Sequence, residues 1–202
     1  MMCINVVQPT REPIQGTDLS ISPARANLYA LALALPLVVV LITAYDAYSQ
    51  QPLSAFRLSS PLHLLLLVAL LVAGIFLHEL IHALGWARFG QVALKRIRFG
   101  FQVRTLTPYA HAIDPMPAKA YRIGTALPAI LLGAIPFVFG AALSNPGLAI
   151  LAIVFSFAAV GDLIVLWMTR HVEATALVLD HPSRAGCIVL GTGHSVQHES
   201  LS

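Results

Sequence analysis

Residues 77–86 read LHELIHALGW, and three of their side chains could do chemistry together. His78 and His82 are four positions apart, which on a helix puts both imidazoles on one face a single turn apart, close enough to ligate one metal ion. Glu79 stands next to the first histidine, where an HExxH zinc site keeps a base that acts on water without binding the metal. The motif is short and only moderately specific, but its setting sharpens it. It lies inside one of the most apolar stretches of the chain, and three ionisable groups in five residues there call for a partner or a function. The plainer alternative is a helix end at a water interface, with histidines that hydrogen-bond to water or neighbours.

A catalytic zinc site needs a third protein ligand and leaves one position for water. Within the predicted apolar spans the only other acidic residue is Asp162, in FAAVGDLIVLWMTR, which is expensive to bury. Depth supports the pairing. His78 and His82 lie ten and six residues before Arg88, and Asp162 lies eight before Arg170. At 1.5 Å per residue all three sit about 12 Å inside the boundary that the arginines mark. Asp180, in LVLDHPSRAGC, and His111, in TPYAHAIDP, are the rival ligands. His171, His181, His194 and His198 fall on the hydrophilic side, where solvated histidines are ordinary.

The elements that must position these groups are set by composition. The chain of 202 residues is 57% hydrophobic and 10% charged, which exceeds the apolar share of a soluble domain and predicts an all-α membrane protein. Four blocks are long enough to cross a bilayer, at about 27–45, 61–86, 121–143 and 147–169. The expected organisation is a cytosolic segment 1–26, a polytopic domain 27–190 and a flexible tail 191–202. The polar, Pro-containing N-terminus does not lead from a basic stretch straight into an apolar core, so the first block reads as a retained helix, with no cleaved signal. Seven of the twelve Lys and Arg residues (Arg88, Lys95, Arg96, Arg98, Arg104, Lys119, Arg122) fall between the end of the second block and the first two residues of the third, whereas Arg57 is alone between the first two blocks. Positive charge stays inside, so the long loop and both termini are expected in the cytosol. The net charge of +3 then reports topology and anionic lipid, with nothing that suggests nucleic acid. Cys3 and Cys187 make no disulfide framework.

Three further patterns bear on the site. Residues 95–105, KRIRFGFQVRT, alternate with a period of two and predict a strand or hairpin, whose free edge could pair with an extended substrate or whose apolar side could rest on lipid. Pro128 and Pro136 would kink the third helix, with a way opened to the metal as one use and a tolerated bend as the other. Gly74, Ala83, Gly85 and Gly161 would allow the close helix packing that seals the site.

In order along the chain, HELIHALGW, a basic loop with TPYAH, a helix with GDLIVLW and a following LDHPSRAGC resemble the small membrane zincin peptidases of bacteria, which are similar to site-2 protease-type intramembrane metalloproteases. The resemblance covers about residues 61–190. It implies Zn2+ bound by His78, His82 and Asp162, water activated by Glu79, and Tyr109 or His111 as an oxyanion donor. It also implies a multi-pass protein of the bacterial plasma membrane, a zinc metalloprotease that cuts a membrane protein or peptide near the cytosolic face. Site-2 proteases take their aspartate from a Leu-Asp-Gly element after an Asn and a Pro, whereas here Gly161 precedes Asp162 and Asn145-Pro146 is distant. That departure keeps Asp180 in contention as third ligand. A metal-binding protein or carrier without hydrolysis is the alternative, and a catalytically idle scaffold a third. Oligomeric state leaves no trace in the sequence.

Overall fold

The computed structural model describes residues 16–102 and 107–191. It is mostly helical, and its long helices share one starting device. Helix α1 (Pro23–Tyr48) follows Ser22, whose hydroxyl accepts from the Arg25 amide. Helix α2 (Pro61–Gly90) follows Ser60, which accepts from His63 N–H, and α5 (Pro146–Ala158) follows Asn145, which accepts from Leu148 N–H. In each case a short polar side chain satisfies an orphan amide and the proline behind it has no amide to satisfy. Helix α2 ends at Gln91 in the left-handed conformation, with the Gln91 amide turned back to Trp86 O.

The third expected span is one helical stretch in three parts: α3 (Ala118–Pro128), a π-helical turn (Ala129–Ala134) and α4 (Ile135–Ala142). The widened turn falls between Pro128 and Pro136, where missing amides break the regular ladder. The fourth expected span is not one straight helix. Helices α5 and α6 (Val160–Thr169) meet at Ala159 with a bend of 43°. Among the described residues three helices are long and apolar enough to cross a membrane, and the bent pair makes a fourth if taken as one span. Their outer faces are uniformly apolar: Leu35, Leu62, Leu65, Phe76 and Val138 all stand exposed. A helix hydrophobic all round belongs in a core or in lipid.

The described residues also hold two small sheets: the hairpin expected between the second and third spans, and a four-stranded sheet that the expected, otherwise all-α, fold did not include. Strands β2 (Ile97–Gln102) and β3 (Thr107–Ala112) form an antiparallel hairpin, Ile97 facing Ala112 and Arg98 facing His111. The strand predicted over 95–105 thus begins at Ile97, after a 3-10 turn at Leu94–Arg96, and its last residues lie outside the described ones. The second sheet has the order β1-β6-β5-β4 and is antiparallel throughout: β1 (Gly16–Ile21), β4 (Met116–Pro117), β5 (Leu177–Asp180) and β6 (Ala185–Leu190). It joins the segment before α1 to the segment after α6. Gly186 has φ 126°, and a Cβ there would run into the Leu19 carbonyl, so only glycine fits the β1–β6 ladder at this point. His194, His198 and Cys3 lie outside the described residues.

One core sits under both sheets, where Ala83 and Trp86 of α2 meet Ile97, Ala112, Met116, Tyr121, Val165, Val178 and Cys187. Cys187 is fully buried, and burial, followed by the carboxylates of Asp180 and Asp18, pushes its thiol up to about 12. At pH 8 only about one such thiol in ten thousand is ionised, and the thiolate is the reactive form. In a Cys3→Ser variant, where Cys187 is the sole cysteine, a disulfide-exchange reagent at pH 8 should label almost nothing until the protein is denatured. Rapid labelling of the folded protein would contradict this placement.

Candidate metal centre

The site is built where α2 and α3 touch backbone to backbone. Gly85 lies so close to α3 that a Cβ on it would come within 2.7 Å of Gly124 Cα. This contact brings the Gly124 carbonyl to 3.0 Å from His82 Nδ1. A carbonyl can only accept, so Nδ1 carries the proton and donates, and the lone pair of the neutral ring is left on Nε2. Along the same face of α2, His78, His82 and Trp86 make a ladder at four-residue spacing. The His78 and His82 rings meet edge to face at 4.9 Å, and His82 stacks on Trp86 at 5.4 Å and 15°. Trp86 stacks in turn on Tyr121 of α3 at 5.8 Å, and its indole N–H donates to the Tyr121 carbonyl at 3.2 Å. A Cβ at Gly124 would overlap the indole of Trp86, so a larger residue here would push the ring off His82.

Asp162 comes from the break between α5 and α6. It occupies the first turn of α6, a position where the helix dipole favours a carboxylate, and its own amide bonds back to Ala159 O at 3.1 Å. The other end of α6 is held to α3 by Arg122, whose Nη1 donates to the carbonyls of Thr169 and Val172 at 2.8 Å each. So placed, Asp162 Oδ2 is 3.1 Å from His78 Nε2 and Oδ1 is 3.3 Å from His82 Nε2. One ligand atom from each of His78, His82 and Asp162 lies within 4.8 Å of the other two. Oδ2, although near His78, is buried and makes no well-aligned hydrogen bond. Two imidazole nitrogens and a carboxylate oxygen with no donor converge on one point, which is the donor set of a catalytic zinc site. The residues fit the ion.

The structure does not bring the rival ligands into this cluster. Asp180 and His111 pair with each other instead, His111 Nδ1 lying 2.9 Å from Asp180 Oδ2. His171 is exposed, and His181 accepts the amides of Ser183 and Arg184 in the β5–β6 turn. Glu79 is half-buried beside the histidines and within hydrogen-bonding reach of the Ala110 amide on β3. Of the TPYAH residues, Tyr109 lies across Gly100 on the neighbouring strand. Of the small residues expected to seal the site, Gly74 packs against Phe155, Gly85 against Gly124, and Ala83 is fully buried. Gly161 is different. A Cβ there meets nothing within 4 Å, so its smallness is not used for helix packing.

Sequence reasoning overlooked the Gly124 carbonyl, the Ala110 amide, Trp86 and Tyr121. Trp86 alone carried a signal, being four residues past His82 as His82 is past His78. Backbone groups such as those of Gly124 and Ala110 have no identity in a sequence and show only when two elements meet.

Residues 70–177, over half of the chain, match the model of a family described as "Putative zincin peptidase". No curated protein and no solved structure matches.

Proposed function

The chain belongs to this zincin peptidase family, which makes it a zinc metallopeptidase, and on that premise we propose that it is an intramembrane endopeptidase with His78, His82 and Asp162 as zinc ligands and Glu79 as its base. The observation that carries the reading is the convergence of the three ligand atoms within 4.8 Å of one another, beside a glutamate that directly follows the first histidine. A metal site without hydrolysis has no particular need of that glutamate. Like site-2 proteases, the chain offers HExxH on one apolar helix and an aspartate on a later one.

When bound, zinc supplies acidity to a water molecule and polarises the scissile carbonyl. The chain's own residues do the rest. His82, its tautomer fixed by Gly124, presents Nε2, and Asp162 presents a carboxylate from a helix N-terminus. Glu79 takes the proton from the attacking water and returns it to the leaving nitrogen. The Ala110 amide of β3 is the backbone donor that lies beside the Glu79 carboxylate.

The apolar helices support insertion in a membrane, and the charge distribution supports a cytosolic long loop and cytosolic termini. With the site below the surface, water must arrive through a cleft open to that side. The substrate is then a membrane protein or peptide whose helix must unwind, because helical peptide bonds are shielded. Because Arg98 and His111 face each other as a bonded pair, Ala110 and Ala112 turn their amides away from β2, toward Glu79 and Asp180, so that edge of β3 is taken. Among the described residues β2 pairs only with β3, and an extended substrate could add to its other edge.

The test is metal removal. Detergent-purified protein should carry about one zinc per chain and cleave members of a panel of quenched-fluorescent peptides with transmembrane segments. Dialysis against a chelator should abolish cleavage and added zinc should restore it. Cleavage that survives chelation, or protein that takes up no zinc, would overturn the proposal.

A further inference from the structure

Asp180 is a buried carboxylate, 9% exposed, and it takes three donors from two other elements. Oδ2 accepts from His111 Nδ1–H at 2.9 Å and from the Ala112 amide at 3.4 Å, both on β3. Oδ1 accepts from the Tyr121 hydroxyl on α3 at 3.0 Å. The strand that carries it, β5, is fixed in the four-stranded sheet opposite Cys187, so the carboxylate has a rigid base. Asp180 is the polar link between that sheet, the β2–β3 hairpin and α3.

We propose that Asp180 is a positioning residue through which the small sheet holds both the base and one ligand of the metal centre; the inference rests on the zinc-site reading above. Two arms lead from it. Along β3, the amide beside the anchored one on the same edge is that of Ala110, which faces Glu79. With Ala112 and His111 pinned, β3 can neither slide along α2 nor lift from it, and the Ala110 amide stays at the base. Along α3, the Tyr121 hydroxyl is pinned by Asp180 and also reaches the Gly186 carbonyl at 3.2 Å. The Tyr121 ring then backs Trp86, and Trp86 backs His82. Partners that orient a ligand from outside the coordination shell typically account for a ten- to hundredfold effect on metal affinity or activity. Asp180 is not one of the three residues whose ligand atoms converge, so these contacts are what connect it to the site.

The experiment compares wild type, Asp180→Asn, Tyr121→Phe and His82→Ala. Zinc affinity is measured by chelator competition, ligand geometry by the visible spectrum of the cobalt-substituted protein, and the Ala110 and Ala112 amides by hydrogen exchange without metal. Asp180→Asn should still bind one metal ion, with affinity or kcat lowered about ten- to hundredfold, KM unchanged, an altered cobalt spectrum and faster exchange along β3. Tyr121→Phe cuts only the second arm. It should weaken zinc binding while exchange along β3 stays as in wild type, and it decides the matter if Asp180→Asn does not fold. Loss of zinc from Asp180→Asn as complete as from His82→Ala would make Asp180 a ligand and overturn the proposal. So would wild-type affinity, spectrum and kcat accompanied only by a lower Tm. If wild type itself binds no zinc, the zinc reading fails, and exchange at Ala110 in Asp180→Asn still decides whether the clamp on β3 exists.

Discussion

Replacing Glu79 with Gln should leave zinc in place and slow peptide cleavage about a hundred- to ten-thousandfold, the usual range for a lost general base. Gln matches Glu in shape, and its amide oxygen can still accept from the Ala110 amide, so β3 keeps its footing on α2. What it cannot do is take a proton from water. Because that transfer belongs to the transition state, kcat should fall with KM nearly unchanged. Zinc content and single-turnover cleavage of the same preparation are the measurements. A loss of zinc together with activity would make Glu79 a ligand, and turnover unaffected by the change would remove hydrolysis at this site from consideration. Metal binding or transport that survives while no version of the chain cleaves would point to a carrier.

The readable and unreadable parts of this chain divide along one physical line: local periodicity leaves a trace in sequence, and long-range pairing does not. His78 and His82 share a face because a helix turns once in about 3.6 residues, and Asp162 stands out because a carboxylate is costly in an apolar run. Helix starts carry a trace in the Ser-Pro and Asn-Pro pairs that apolar length alone does not use: the first expected span began at 27, four residues inside the actual start at Pro23. The bend at Ala159 was hidden because hydropathy is continuous through it, and apolarity says nothing of direction. Yet that bend is what puts Asp162 in the first turn of α6 rather than midway along a straight helix. The four-stranded sheet was illegible for another reason. Its strands are short, and β1 and β6 meet across most of the chain length, Gly16 facing Leu190. No local pattern announces such a partner. The same sheet presents Asp180, so the residue weighed from sequence as a rival ligand sits instead where it grips β3 and α3.

His82→Ala and Asp162→Ala should both lose zinc, but by different amounts. Zinc binding of about 10–16 kcal/mol shared over four ligands leaves roughly 3 kcal/mol for each, or about two orders of magnitude in affinity. Asp162→Ala removes one carboxylate and leaves both imidazoles in their ladder, so its affinity should fall by about that factor. His82→Ala removes a ligand and also the ring that stacks on Trp86 and bonds to Gly124, so its loss should be greater. Thermal unfolding reads the loss against wild type directly. At free zinc one hundred times the wild-type Kd, binding stabilises the wild type by about 2.7 kcal/mol. At the same zinc concentration an affinity lowered a hundredfold leaves only about 0.4 kcal/mol, a shift in Tm close to nothing. If Asp162→Ala kept the full zinc-induced rise in Tm while His82→Ala lost it, the third ligand would have to come from elsewhere. Asp180 and His111 would first have to break the bond between them to supply it.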